Sequence, residues 1–180
     1  GIPLDPDEPQ KLVSALKEMG IFDYIVITSV DRDDLEDQGS MHFANCIKAI
    51  KHQNPEMLVE VLIPDFRGNI SLLKNVVDAN PDVLAHNIET VERLQRKARD
   101  GRANYLQSLS VLREAKRLNH SIITKSSMML GLGETRGEVI QTMKDLLDAG
   151  AEILTLGQYL RPSSWHLKVS EFVMPEVFEE

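Results

Sequence analysis

Residues 122–139 read IITKSSMMLGLGETRGEV, and they contain a complete strand-to-helix connection. The apolar run with β-branched residues predicts a strand, and the pattern over 137–150 predicts a helix. Gly131 and Gly133 lie in the turn between them. Glycine tolerates positive φ and lets another backbone or a ligand come close. Alone, the turn favours a tight α/β connection over a site for a bound group, but both interpretations stay open.

The same alternation of strands and helices extends outward along the whole chain. Strands are predicted over 22–29, 58–64, 82–86, 121–126 and 151–159, and helices over 7–20, 41–53, 69–80, 105–119 and 137–150. This order predicts a parallel sheet with right-handed crossovers in one domain over 1–180, and the nearly continuous apolar strands predict helices on the sheet. An open doubly wound sheet and a (β/α) barrel both fit.

The two ends of the pattern are irregular. The first element is a helix with no strand before it, and Pro175 starts a further helix that ends after a few residues. We therefore expect a chain that is cut at both ends, with at least one strand missing at the N-terminus.

Composition narrows the class of protein. The 180 residues are 42% hydrophobic and carry a net charge of −8, which argues against nucleic acid as a partner. No apolar stretch reaches the roughly 20 residues of a membrane span, so no membrane partner is expected. Cys46 is the single cysteine, which excludes a disulfide framework and fits a reducing compartment.

Polar residues follow every predicted strand, at the edge where parallel sheets and barrels bind ligands. About half of them are expected to cap the next helix instead. The set is Thr28, Ser29, Asp31, Asp65, Arg67, His86, Asn87, Glu89, Lys125, Gln158 and Tyr159.

Several familiar sites are excluded or disfavoured. A dinucleotide fingerprint would need a third glycine where Arg136 stands, and no P-loop is present. The acidic run 31–37 lacks the glycine of an EF-hand loop, so a solvated loop is favoured there. No metal site is predicted, His86 is interpreted as a core histidine, and Cys46 as a buried apolar residue.

Longer motifs resemble one family. VITSVDRDDLEDQGSMHFANCIKAIK, VEVLIPDFRG, PDVLAHNIETVERLQ, TKSSMMLGLGET and ILTLGQYLRPSSWHLKV occur in the order found in lipoyl synthases, and the resemblance covers residues 3–176. These enzymes are radical S-adenosylmethionine proteins with a partial (β/α) barrel, and they insert two sulfurs into a protein-bound octanoyl chain. The resemblance therefore implies a partial barrel and a parent sulfurtransferase activity.

The resemblance also implies a set of site residues. Gly131 and Gly133 would lie against bound S-adenosylmethionine, and Thr28 and Ser29 near its methionine amino group. Further contacts are implied for the ribose (Asn87, Glu89), the adenine (Gln158, Tyr159, Leu160), and a carboxylate or the substrate (Lys125, Arg161).

The chain departs from the family in its cysteines. Lipoyl synthases carry two cysteine motifs for two 4Fe–4S clusters and a C-terminal Arg-Ser-Ser-Tyr segment, and none of these is in this sequence. Because such clusters need cysteine thiolates, we expect a central fragment that is inactive by itself. The alternatives are a noncatalytic barrel that binds a nucleotide-like ligand or a partner, and another radical S-adenosylmethionine enzyme such as a biotin synthase-like one.

The family implies partners as well. They are an octanoylated lipoyl carrier domain or glycine-cleavage H protein, and an electron donor such as ferredoxin or flavodoxin. The expected location is the bacterial cytoplasm, or the mitochondrial matrix in a eukaryote.

Overall fold

A computed structural model describes residues 2–20 and 22–179. Strands and helices alternate along it, as the sequence predicts. The strands are β1 Tyr24–Thr28, β2 Leu58–Leu62, β3 Val83–Ala85, β4 Ile123–Leu130 and β5 Ile153–Gln158. The helices are α1 Glu8–Met19, α2 Ser40–Gln53, α3 Ile70–Val77, α4 Gln95–Ala98, α5 Tyr105–Leu118, α6 Arg136–Asp148 and α7 Pro175–Phe178.

The sheet decides between the two folds that the sequence left open. Within the described residues, five parallel strands pair in the order β1-β2-β3-β4-β5. A doubly wound sheet reverses its strand order at a switch point, whereas a barrel adds each new strand on the same side. The order observed confirms a partial (β/α) barrel.

The register shows the stagger that a barrel requires. When the pairing is followed across β2 and β3, Thr28, the last residue of β1, lines up with Lys125, near the start of β4. Lys125 in turn pairs with Ile153, the first residue of β5. Strands in a closing barrel shift along one another in this way because they tilt against its axis.

The two faces of the sheet differ in burial. On one face Val59 and Val61 are fully buried in a core with residues of α2, α3 and α5, and on the other face Val26 and Leu58 are 52% and 45% exposed. Because strand side chains alternate between faces, the helices cover only one side. The concave side is open, as in a barrel interior.

Two predictions of local structure need correction. The fourth strand was predicted to end at residue 126 but continues to Leu130, so Lys125 lies near its start and not at its end. The sequence also missed the short helices between β3 and α5, Glu92–Leu94 and α4. These pieces are too short to show helical periodicity. The helix predicted to begin at Pro175 is present as α7.

Candidate functional site

A pocket of about 260 Å³ lies at the carboxyl ends of β1, β2 and β3. Its walls come from the loops that follow these strands, because the ends of parallel strands meet at one edge of the sheet. Most of the lining is charged or polar: Ser29, Asp31, Arg32, Asp33, Asp65, Arg67, His86, Asn87, Glu89, Arg99, Asp100 and Arg102.

The backbone after β3 turns two polar side chains toward this pocket. The N–H of Ile88 donates to Ser126 Oγ (3.0 Å), and the N–H of Glu89 donates to Ser127 O (3.0 Å), so the segment stays attached to β4. Ile88 is buried, His86 is buried but still borders the pocket, and the half-buried Asn87 and Glu89 line it as well. Glu89 has a φ of +66°. Such a φ is costly for a residue with a side chain and is often found at functional sites.

Charged groups in the pocket fall into two classes. At the rim, Asp33 pairs with both Arg67 and Arg102. Elsewhere in the lining, Asp31, Asn87 and Glu89 have no hydrogen-bonded side-chain partner among residues 2–20 and 22–179. Polar groups that the chain does not use itself are the ones available to a ligand.

A left-handed turn places Arg67 at the rim. Phe66, Arg67 and Gly68 all have positive φ, between 48° and 73°. Asp65 accepts the N–H of Arg67 at 2.9 Å, and the fully buried Phe66 ring anchors the turn in the core. Side-chain-bearing residues cost roughly 1–2 kcal/mol each in this conformation, so the surrounding contacts must hold it.

Arg99 is the functional candidate that sequence reasoning missed. Its Nη1 donates to Ser108 Oγ (2.8 Å) and Gln95 Oε1 (3.1 Å), and burial lowers the pKa of the guanidinium from its usual value. Glu89 and Asp65 lie close enough to oppose that shift. One signal could have found it: a loop between β3 and α5 has to cross the ligand-binding edge of the sheet.

The glycine turn after β4 lies outside this pocket, and the chain itself packs against it. Gly131 and Gly133 have φ of +102° and +97°. A Cβ on Gly131 would collide with Glu171 O and lie 2.5 Å from Gln158 Nε2. Backbone N–H groups of the turn donate to the Glu134 carboxylate, and the distance from Leu132 N to Glu134 Oε2 is 2.9 Å. Packing within the chain thus explains why glycine stands in this turn, and contact of the two glycines with a ligand stays a prediction.

Residues 159–173, called the strap below, return from β5 across that turn. Gln158 fixes the strap: its Nε2 donates to Glu171 O (3.1 Å) and its Oε1 accepts the N–H of Val173 (2.8 Å). Tyr159 is buried, and its hydroxyl donates to Leu167 O at 2.9 Å. These two predicted site residues are therefore engaged in holding the strap.

Two further predicted site residues lie on the strap itself. Leu160 is 67% exposed, and Arg161 Nε donates to His166 O at 2.9 Å. Neither lines the charged pocket. The structure therefore separates the predicted site into a pocket group at β1 to β3 and a strap group at β4 and β5.

The remaining predicted site residues are Thr28, Ser29 and Lys125. Ser29 lines the pocket, and Thr28 lies at the end of β1 on the open face. Lys125 is engaged elsewhere: its Nζ lies 2.8 Å from Glu60 Oε1, and Glu60 also accepts a hydrogen bond from Tyr24. Burial and this bond raise the pKa of Tyr24 to about 12. Lys125 thus belongs to an internal ion pair on the concave face.

Neither a metal site nor a membrane span is found among the described residues. No group of three His, Cys, Asp or Glu side chains there could hold a metal ion. Cys46 is buried in α2, and burial raises the pKa of its thiol to about 11, which disfavours the thiolate. No helix in 2–20 and 22–179 is long and apolar enough to cross a bilayer.

Sequence comparison identifies close relatives. Lipoyl synthases of Halobacterium salinarum and Anaeromyxobacter are 56% and 57% identical over 98% of this chain, and the mitochondrial lipoyl synthase of Culex quinquefasciatus is 56% identical over the same share. The chain covers 56%, 59% and 46% of these proteins. It therefore spans about half the length of the curated relatives it matches.

Solved structures share the fold at low identity. A methylornithine synthase has a TM-score of 0.66 at 13% identity, with 87% of this chain and 44% of that chain covered. A radical S-adenosylmethionine methyltransferase from Kitasatospora setae has a TM-score of 0.58 at 13% identity, with coverage of 84% and 30%. The family description "Radical SAM superfamily" matches residues 1–146. Because that match covers most of the sequence, the chain belongs to the radical SAM superfamily.

Proposed function

We propose that this chain is the S-adenosylmethionine-binding barrel of a lipoyl synthase, folded as one domain over 1–180. The parent reaction is insertion of two sulfurs into a protein-bound octanoyl chain. The observation that carries the proposal is the identity of 56% with lipoyl synthases over 98% of the chain. That identity extends over nearly the whole length of the chain, so it supports the parent activity as well as the fold.

The pocket suits the polar parts of S-adenosylmethionine, a nucleoside that carries an ammonium and a carboxylate. Asn87 and Glu89 have unused acceptors for the ribose hydroxyls. Ser29, with Thr28 next to it, would lie near the methionine amino group. Asp31 adds a carboxylate to the same wall, and Arg99 a cation.

The strap group would border the far side of the same ligand. Under this proposal Gly131, Gly133, Gln158, Tyr159 and Leu160 offer backbone and apolar surface to the adenine. Arg161 would contact the substrate, and Lys125 a carboxylate. Lys125 could do so only by exchanging its present partner, Glu60, for that carboxylate.

The iron–sulfur cofactor implied by the superfamily does not fit the described residues. Cluster iron is held by cysteine thiolates, and the one cysteine of the sequence is buried within α2. The chain alone is proposed to bind and orient the nucleoside without turning it over.

Partners and location follow from the parent activity. The proposed protein partner is an octanoylated lipoyl carrier domain or glycine-cleavage H protein, with ferredoxin or flavodoxin as electron donor. The proposed location is the cytoplasm of a prokaryote or the mitochondrial matrix, since relatives of both kinds match equally well.

A segment exchange tests this function. Residues 3–176 would replace the matching segment of the Anaeromyxobacter lipoyl synthase. The resulting chimera keeps the flanking regions of the Anaeromyxobacter enzyme. The chimera is reconstituted anaerobically and assayed on an octanoylated carrier peptide, and the same chimera with Glu89→Gln serves as the site control. We expect lipoyl product from the first and a large loss from the second.

Three results would contradict the proposal in different ways. A chimera that cleaves S-adenosylmethionine without forming lipoyl product would indicate another radical enzyme, such as a biotin synthase-like one. A folded, cluster-loaded chimera that binds the nucleoside without cleaving it would favour a noncatalytic binding barrel. Equal activity with Glu89→Gln would show that the pocket does not bind the nucleoside during the reaction.

A further inference from the structure

Arg99 is held at the pocket wall through one nitrogen of its guanidinium, Nη1. Both hydrogen bonds from its side chain leave from Nη1, to Ser108 Oγ at 2.8 Å and Gln95 Oε1 at 3.1 Å. Its Nε and Nη2 groups have no hydrogen-bonded partner among residues 2–20 and 22–179. Arginine presents its donors in a planar fork, so fixing one end orients the other.

Ser108 is in turn oriented by a buried histidine. His86 Nδ1 lies 3.0 Å from Ile63 O, which can only accept, so Nδ1 carries the proton. Burial lowers the pKa of His86, which keeps the ring neutral and leaves Nε2 as an acceptor. Nε2 lies 3.0 Å from Ser108 Oγ. Ser108 therefore donates its one proton to His86 and keeps its lone pairs for Arg99.

Gln95 forms a second support for the same nitrogen. Its Nε2 donates to Ile88 O (2.9 Å) and Thr90 O (2.6 Å), the carbonyls on either side of Glu89. These two bonds fix the amide so that Oε1 faces Arg99. Because His86, Gln95 and Ser108 are at most 4% exposed, water does not compete for this network.

We propose that Ser108, His86 and Gln95 are positioning residues for Arg99, and that Arg99 uses its Nε and Nη2 edge to bind a carboxylate of the pocket's ligand. The arrangement gives three buried polar side chains a common role, since Ser108 and Gln95 bond directly to Arg99 and His86 bonds to Ser108. It also ties Arg99 to the backbone beside Glu89, so the cation and the ribose-binding carboxylate keep a fixed separation. The identity of the ligand rests on the proposed function.

Two nucleosides that differ by one group test the proposal on the 180-residue chain. S-adenosylmethionine carries the carboxylate, and decarboxylated S-adenosylmethionine lacks it but keeps the ammonium. We expect Ser108→Ala to weaken binding of the first by roughly tenfold, about the loss of one charge-assisted hydrogen bond, and to leave binding of the second unchanged. Ser108→Thr, which retains the hydroxyl, should restore affinity. Ser110→Ala, an exposed serine on the same helix, is the matched control.

Nuclear magnetic resonance of labelled protein gives a readout without ligand. We expect the His86 proton on Nδ1, and faster exchange of the Arg99 Nε proton with water in Ser108→Ala than in wild type or Ser110→Ala. An unchanged Arg99 signal, a proton on Nε2, or an equal loss of both nucleosides would overturn the proposal. If neither nucleoside binds wild type, S-adenosylmethionine binding by this chain fails, and the resonance experiment still decides the positioning role.

Discussion

The two ends of the sheet edge use similar residues for different purposes. At β1 to β3, Asp31, Asn87 and Glu89 face a pocket with no hydrogen-bonded side-chain partner among the described residues. At β4 and β5, both ends of the Gln158 amide are bonded to the strap, and the glycine turn is bonded to Glu134 and Ser170. The first end is open to a ligand, whereas the second holds the chain together.

This difference shows what a strand-end polar residue does and does not indicate. Position at the carboxyl end of a parallel strand brings a side chain to the right edge of the sheet. Whether it serves a ligand depends on which hydrogen bonds the rest of the chain has already made with it. Substitutions should therefore separate the two ends: those at the strap cost stability, and those in the pocket cost affinity.

Gly131→Ala should show the largest loss of stability. The new methyl group would meet Glu171 O and Gln158 Nε2, and the residue would be forced to a φ of +102°. We expect the free energy of unfolding to fall by about 4 kcal/mol, from backbone strain and overpacking together. Urea denaturation followed by circular dichroism measures it.

Gly137→Ala is the matched control, since apart from its own neighbours along the helix no atom of the described residues lies within 4 Å of a Cβ built there. It lies in the first turn of α6, and alanine favours a helix over glycine, so stability should stay equal or rise slightly. A Gly131→Ala protein as stable as Gly137→Ala would show that the strap does not pack on the turn.

Lys125→Met tests whether Lys125 is an internal ion-pair partner or a ligand-binding group. Lys125 pairs with Glu60, whose side chain is 5% exposed. Loss of the lysine would therefore leave a buried carboxylate without a compensating charge. We expect a loss of about 3 kcal/mol, much of it recovered in the double variant with Glu60→Met. Denaturation of the single and double variants checks this. A loss of affinity for S-adenosylmethionine without loss of stability would instead make Lys125 a ligand group.

Glu138→Gln should have a smaller effect that depends on pH. The hydrogen bond from Arg93, together with the N-cap bonds of Thr135, lowers the pKa of Glu138 to about 2. The unfolded value is near 4.5. A depressed pKa stabilises the fold above the unfolded value, and this contribution is lost as pH falls toward 2.

Thermal unfolding at neutral and acid pH measures this effect. The midpoint of Glu138→Gln should lie below that of wild type at pH 7 and approach it near pH 2. Glu18→Gln, an exposed carboxylate on α1, is the control and should show no such convergence. A difference in midpoint that stays constant with pH would show that the Arg93–Glu138 ion pair does not stabilise the fold.

Asn87→Ala should change stability least, because its side chain has no hydrogen-bonded partner among the described residues. We expect a difference within about 0.5 kcal/mol and, in the chimeric enzyme, a clear loss of affinity for S-adenosylmethionine. Denaturation and equilibrium binding on the same preparation give both values. A destabilised protein with normal affinity would place Asn87 with the strap group.

Much of the fold could be predicted because local signals agreed with it. Each strand and each long helix was visible as a short apolar run or a periodic pattern bounded by Gly, Pro or Asn. The end of β4 was missed because Ser126 and Ser127 interrupt its apolar character. The serines are tolerated there because Ser126 is buried and bonded to Ile88 N.

The site was harder to predict because hydrogen bonding between distant residues decides it. Asn87 and Glu89 follow β3, as the sequence indicates, and both line the pocket, while their contact with a ligand stays a prediction. Lys125 looked equally available, but its partner Glu60 lies 65 residues away in sequence. Arg99 was missed because its supports Ser108 and His86 come together only when α5 packs on the sheet.

The most direct test of the open pocket is a titration of the isotope-labelled chain with S-adenosylmethionine, followed by backbone amide resonances. We predict that the largest shifts fall on residues 87–89 and on Arg99, and that these shifts are lost in Glu89→Gln. Saturating shifts confined to other parts of the chain, or no shifts at any concentration, would contradict the assignment of this pocket as the nucleoside site.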